Sequence, residues 1–178
     1  MIKMNYATIK KRDIANGPGV RVSLFVSGCT HRCPGCFNEI AWDFAYGSPF
    51  DGAVERELFE ALSPDYIQGL SLLGGEPFEP QNQRTLCPFL RKVRERYPQK
   101  NIWCYSGYTL EQLSGKEVSR CRCEVTDEML SYINVLVDGR FELEKKNIRL
   151  RFRGSENQRL IDLDKTRERG RIVLWDEK

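Results

Sequence analysis

Cys29, Cys33 and Cys36 stand in one short stretch, Cys29-Thr30-His31-Arg32-Cys33-Pro34-Gly35-Cys36-Phe37-Asn38, of a chain with seven cysteines. Their spacing, C-x3-C-x2-C, lets three thiolates leave one loop and converge on a single metal centre. Pro34 and Gly35 bend that loop tightly, and glycine admits the positive φ with which backbone approaches a ligand closely. The number three is informative. A structural zinc site takes four closed ligands, and ferredoxin-type clusters take four cysteines. Three cysteines leave one iron of a [4Fe–4S] cluster without a protein ligand, open to a substrate or cosubstrate. On the loop alone two alternatives stay open: zinc with a fourth ligand from His31, Cys121 or Cys123, and three thiols without metal.

Gly74-Gly75-Glu76-Pro77 is the second candidate. Without side chains, Gly74 and Gly75 let backbone N–H and C=O groups reach a ligand, and a branched side chain at Gly75 would fill the ligand's place. The Glu76 carboxylate and free carbonyls suit an ammonium group. A plain glycine turn before a helix is the alternative. Ser106, Gly107 and Tyr108 offer hydrogen bonds to a ribose or a carboxylate, or form only a polar turn. Asp138 closes an apolar run and is a candidate polar contact beside them, with a turn or helix cap as its alternative. His31, the single histidine, reads as a loop residue without a ligand role. Cys87 and Cys104 read as small core residues, and the pair Cys121 and Cys123 as structural.

These groups need strands and helices to hold them. Val20 to Val26 predicts a strand buried on both faces, as in a parallel sheet. Residues 69–73, 101–105 and 133–137 predict three more, with short strands at Leu150 to Phe152 and Ile172 to Trp175 and an edge strand within residues 1–13. Asp51 to Leu62 predicts a helix capped by Asp51, with Val54, Leu58, Ala61 and Leu62 at helical spacing. Residues 81–97 predict a second helix with Leu86, Phe89, Leu90 and Val93 on one face, and 126–132 a short one capped by Thr126. Strand and helix alternate, the pattern of a parallel sheet with right-handed crossovers. The units are too few for a closed barrel of about 250 residues. An α/β open partial barrel, with helices on the outside, is therefore expected. Chemistry in such sheets gathers at the C-terminal strand ends. Cys29, Gly74 to Pro77, Ser106 to Tyr108 and Asp138 all fall there.

The 178 residues predict one domain, 1–178,. No apolar run approaches the ~20 residues of a membrane span, and residues 1–12 lack the apolar core of a signal peptide. A cytoplasmic setting is expected, where an odd number of cysteines stays reduced. The net charge of +3 is unevenly placed: from Glu144 to Arg171, ten Lys and Arg face five Asp and Glu. Such a segment attracts nucleotides, nucleic acid or an acidic protein surface, or is only a solvated face. No nucleic-acid-binding motif accompanies it, so neither nucleic acid nor membrane is an expected partner.

The cysteine spacing and Gly74-Gly75-Glu76-Pro77 resemble the radical S-adenosylmethionine (SAM) enzymes. Asn16-Gly17-Pro18-Gly19, Cys33 to Asn38, Tyr105 to Tyr108, Val135 to Phe141 and Arg151 to Arg159 together resemble one family among them, the activating proteins of anaerobic ribonucleoside-triphosphate reductase. The resemblance runs from about residue 5 to 175. It implies a partial, open TIM-like barrel with a radical SAM core. It implies a [4Fe–4S] cluster on Cys29, Cys33 and Cys36, whose open iron chelates the amino and carboxylate groups of SAM. It implies SAM contacts from Gly35, Cys36 and Phe37 at the adenine end, and from Gly74, Gly75, Glu76 and Pro77 at the methionine amino group. Many radical SAM enzymes carry an aromatic residue just before the third cysteine; this chain has Gly35 there and Phe37 after it. The implied reaction is reductive cleavage of SAM, the 5′-deoxyadenosyl radical then taking hydrogen from a glycine of the large reductase subunit. That subunit and an electron donor such as flavodoxin are the implied partners. The alternatives are a small radical SAM enzyme acting on a small molecule, as in deazapurine synthesis, and a metal-binding module without catalysis.

Overall fold

The computed structural model describes residues 3–176; Met1 and Ile2 of the expected N-terminal strand lie outside them. Its strands are β1 (Asn5–Asp13), β2 (Val20–Val26), β3 (Ser48–Pro49), β4 (Ile67–Gly74), β5 (Asn101–Tyr105), β6 (Val135–Asp138) and β7 (Arg159–Asp162). They form one sheet in the order β3-β1-β2-β4-β5-β6-β7. β2, β4, β5 and β6 pair in parallel. The flanks depart from the expected all-parallel sheet: β1 runs antiparallel to β2 and to β3, and β7 antiparallel to β6. Loop length explains this. A parallel return needs a crossover of a dozen or more residues, usually helical. Helices α1 (Gly52–Leu62), α2 (Pro80–Arg96), and α3 (Leu110–Leu113) with α4 (Thr126–Tyr132) supply three such crossovers. Residues 14–19 are too few for one, and residues 139–158 contain only a 3-10 turn at Leu143–Lys145. The sheet is open, with β3 and β7 at its edges. β1 is therefore not the edge strand, because the two residues of β3 pair beyond it.

Alternation along the strands splits the core in two. Val22, Leu24, Val26, Leu70, Leu72, Ile102, Cys104 and Leu136 pack with Leu58 and Leu62 of α1, Leu86, Phe89, Leu90 and Val93 of α2, and Met129 of α4. The opposite face carries a smaller cluster of Trp103, Val135 and Val137, joined by Phe152 and Trp175. There Trp103 meets Phe152 and Trp175 edge-on, with ring centroids 5.4 and 5.0 Å apart. Such pairs add about 0.5–1.5 kcal/mol each beyond burial.

Asp51 caps α1 as expected, its Oδ1 accepting from the N–H groups of Ala53 and Val54. Thr126 does not cap α4. Val125 holds the N-cap position, and the Thr126 hydroxyl donates to Gln83 while accepting from the Cys123 N–H. The expected strand at Leu150 to Phe152 is a run of bends, where Phe152 adopts φ 61° and packs into the tryptophan cluster. In the other expected strand, Ile172 to Trp175, Leu174 makes one isolated bridge to Ile161. The pairing partner of β6 is instead β7, followed by α5 (Leu163–Arg169). Among the described residues no helix is long and apolar enough to cross a membrane.

Candidate active site

The cysteine loop leaves the C-terminal end of β2, and its entry is bonded to the rest of the fold. Gly28 N–H donates to the Ala41 carbonyl at 2.8 Å and Cys29 N–H to the Trp42 carbonyl at 3.1 Å. Thr30 donates through both its N–H and its hydroxyl to Glu79 Oε1, at 2.8 and 2.6 Å. Further on, Cys36 N–H donates to the Cys33 carbonyl at 3.1 Å, and Asn38 N–H points at Cys36 Sγ at 3.4 Å. Gly35 holds φ +74°, and a Cβ there would lie 2.8 Å from Leu143 Cδ1. The three thiols are unpaired and half-buried. All three line one cavity of about 440 Å³, a size common for cofactor and ligand sites. Burial first, then the nearby Glu76 carboxylate, push the Cys29 thiol up to about 12. Coordination must therefore displace a proton there, as metal binding to thiols does.

The cavity runs over the sheet face opposite the helices, past Leu73 and Tyr105, to Ala15 and Asn16. Its far wall is the segment around Phe141 to Gly154. Gly74, Gly75, Glu76 and Ser106 line it, as do Gly35, Cys36 and the ring of Phe37, which is 81% exposed. Pro77 and Asp138 do not.

Gly75 is glycine for a packing reason as well as for any ligand. A Cβ there would lie 2.6 Å from the Gly28 carbonyl oxygen and 2.8 Å from that of Ala41. The expectation that a branched side chain would merely fill the ligand's place is corrected: it would strike the backbone that launches Cys29. Glu76 is also more occupied than expected. It is buried, and Oε1 accepts from the Phe78 N–H and the Ser106 hydroxyl while Oε2 meets the Gly107 N–H and His31 Nε2. With four partners, its carboxylate ties the cysteine loop, its own loop and the end of β5 together.

Asp138 is spent within the fold. Its carboxylate accepts Arg159 through Nε at 2.9 Å and Nη2 at 2.6 Å, and Oδ2 also accepts the Leu110 N–H at the start of α3. Arg159 spans to Glu111 as well, and its proton is held more firmly by both carboxylates. The geometry supports the capping alternative for Asp138 over a contact in the mouth. His31, read as a bystander, lines the cavity, meets Glu76 Oε2 at 2.9 Å and packs its ring 4.3 Å from that of Tyr108.

Several positioning residues were missed. Asn82 donates to the carbonyls of Ser27 and Glu76, and Glu79 holds Thr30. Both are buried at or beside the start of α2. Polar residues at the start of an amphipathic helix, beside a glycine motif, were the available signal. Tyr105 lines the cavity, and its buried hydroxyl has no partner among the described residues.

The donor set fits a [4Fe–4S] cluster held by Cys29, Cys33 and Cys36. Gly74, Gly75 and Tyr105 line the same cavity, and the Gly75 and Glu76 N–H groups are already spent on the Val26 and Gly28 carbonyls, at 2.7 and 2.8 Å. The zinc alternative loses its candidate fourth ligands: His31 is engaged by Glu76, Cys121 is buried in the helical core, and Cys123 sits against Gln83. Among the described residues no three His, Cys, Asp or Glu side chains are grouped to hold one metal ion, whereas a cluster takes each thiolate on a separate iron.

Fold and loop together define an iron–sulfur protein with one cluster on an open, centrally parallel sheet, and the family described as 4Fe-4S single cluster domain matches residues 15–161. The chain is 43% identical over 157 residues to the anaerobic ribonucleoside-triphosphate reductase-activating protein of Pasteurella multocida, covering 87% of this chain and 95% of that one. The proteins of the same name from Enterobacteria phage T4 and Escherichia coli K12 are 42% and 41% identical, covering 88% and 87% of this chain and 93% and 96% of theirs. The chain belongs to the family of anaerobic ribonucleoside-triphosphate reductase-activating proteins.

Proposed function

We propose that this protein activates an anaerobic ribonucleoside-triphosphate reductase by making a glycyl radical on its large subunit, and that residues 1–178 form one domain of radical SAM type, an open partial TIM-like barrel. The observation that carries this reading is the meeting of three unpaired cysteines, Gly74-Gly75-Glu76 and the end of β5 on one cavity. A [4Fe–4S] cluster, when bound, would supply one electron for reductive cleavage of SAM to methionine and a 5′-deoxyadenosyl radical, the species that would take hydrogen from the glycine. Cys29, Cys33 and Cys36 hold the cluster. The backbone of Gly74 and Gly75 meets the methionine end of SAM, Gly35 and Phe37 its adenine end, and Ser106 stands beside them. Glu76 acts by fixing those loops relative to the cysteines. Asp138 holds Arg159 and the start of α3 behind the strand ends. Phe141, Leu150 and Phe152 wall the inner cavity and limit water around a reactive radical. An electron donor such as flavodoxin supplies the electron, and the setting is cytoplasmic, with no role for nucleic acid or membrane.

The test is anaerobic. Reconstituted, reduced protein mixed with SAM and the cognate reductase should yield 5′-deoxyadenosine and an electron paramagnetic resonance signal on the reductase. SAM cleavage with no radical on the reductase, and hydrogen drawn instead from a free small molecule, would overturn the reading.

A further inference from the structure

Two segments border the cavity mouth with exposed apolar side chains. Phe37 is 81% and Ile148 91% exposed, and both line the cavity. Leu143, half exposed, packs toward Gly35 between the cysteines. Singly exposed apolar residues are ordinary, but a group around one opening marks a contact surface. The charge beside them is selective. Residues 140–153 carry six Lys and Arg against two Glu. Most of those cations are used internally: Arg140 donates to the His31 carbonyl, Lys145 pairs with Glu142, Arg153 donates to the carbonyls of Glu156 and Gln158, and the Arg151 guanidinium lies over Phe152. Among the described residues, the Lys146 and Arg149 side chains have no hydrogen-bond or ion-pair partner. They flank Ile148 in sequence.

We propose that Phe37, Leu143, Lys146, Ile148 and Arg149 form the docking rim for a polypeptide loop of the protein substrate, apolar where it enters the cavity and acidic at its flank. This rests on the glycyl-radical reading above. Two available cations set around an exposed isoleucine suit a peptide with one or two carboxylates. A nucleic-acid backbone would need a longer row of unspent cations. The apolar contact supplies affinity, and the cations orient the approach. The cationic segment as a whole is thus narrowed to two residues, since Arg153 and Arg159 are committed to the fold.

The test uses the reconstituted protein, SAM and the reductase. Ile148→Glu combined with Arg149→Glu should leave iron content and partner-free SAM cleavage unchanged. It should raise the reductase concentration for half-maximal radical formation on the order of tenfold. Ile148→Ser alone should give a smaller rise in the same direction. Wild-type protein that activates the reductase while the double variant does so equally well removes the rim and leaves the functional reading standing. Loss of partner-free SAM cleavage in both variants also overturns the rim, placing Ile148 in the SAM site. A wild-type protein that cleaves SAM but forms no radical on the reductase removes the functional reading, and the rim with it.

Discussion

The two walls of the cavity are built on different principles. The wall formed by the strand ends is bonded across long stretches of chain: Glu76 reaches His31, Ser106 and Gly107, Asn82 reaches Ser27, and Glu79 reaches Thr30. The opposite wall, residues 139–158, bonds mainly to itself. Gln158 takes the N–H groups of Gly154 and Ser155, Asn157 reaches Arg140, and Glu156 N–H returns to the Lys145 carbonyl. Its links to the rest include Phe152 in the tryptophan cluster, Arg140 on the His31 carbonyl, the Gly139 N–H on the Tyr108 carbonyl, Leu143 beside Gly35, and Arg159 just past its far end. A site that must hold reacting groups to fractions of an ångström gains from the first kind of wall. A surface that must meet another protein gains from the second, which presents its side chains from a segment bonded mainly to itself. The comparison can be broken or sharpened by substitution on each side.

The largest effect belongs to the thiols. Serine at Cys29, Cys33 or Cys36 should abolish reconstitution, dropping bound iron from about four per chain toward none and ending SAM cleavage. Serine at Cys104, Cys121 or Cys123 should leave iron bound. Loss of the cluster in Cys121→Ser or Cys123→Ser would show that the first wall is not self-sufficient. Gly75→Val comes next. Its branched side chain would meet the Gly28 and Ala41 carbonyls, so iron content and thermal stability should both fall. A folded variant with full iron and normal SAM binding would remove the motif from the site.

Arg159→Leu addresses the hinge between the walls. It strands the buried Asp138 carboxylate, at a cost of about 3 kcal/mol, lowering Tm by roughly 6–12 °C. A melt unchanged within two degrees would contradict the ion-pair account. The pH dependence follows from Glu111, whose carboxyl is held below its usual range first by its hydrogen bonds to Arg159. Its folded value is below its unfolded one, so this contribution is present above the ordinary carboxylate range. It is lost as pH falls through the lowered value. Arg159→Leu should flatten that acid limb of stability.

The smallest effect is at His31. His31→Ala should keep the cluster but loosen the tie to Glu76, weakening SAM binding by roughly 1–2 kcal/mol. His31→Gln, which keeps a donor, should recover part of it. Equal affinity in all three proteins would make the ring an incidental lining group.

Much of this was legible in the residues. β2, β5 and α1 follow from apolar runs and an Asp cap, since local pattern and burial agree there. The three cysteines, read from their spacing, and Gly74, Gly75 and Glu76, read from residue type and their place after a strand, do come to one cavity. What escaped was decided by tertiary pairing. Four residues, Arg159 to Asp162, give little periodicity, and they form a strand because β6 offers an edge. Leu150 to Phe152 looks like a strand, yet Phe152 adopts φ 61° and packs against two tryptophans. Asp138 looked like a ligand because an acid ending an apolar strand is conspicuous; its partner Arg159 lies 21 residues on, beyond any local signal. The role of His31 depended on a loop contact with Glu76 across 45 residues.

The central proposal is that this protein passes a hydrogen atom from a glycine of another protein to the 5′-deoxyadenosyl radical formed from SAM, giving 5′-deoxyadenosine. Reductase carrying glycine deuterated at Cα, incubated anaerobically with the reduced protein and unlabelled SAM, tests it most directly. The account predicts deuterium in the 5′-deoxyadenosine in step with radical formed on the reductase, and none when Cys33→Ser protein is used. Unlabelled 5′-deoxyadenosine formed beside a fully deuterated, radical-free reductase would contradict it.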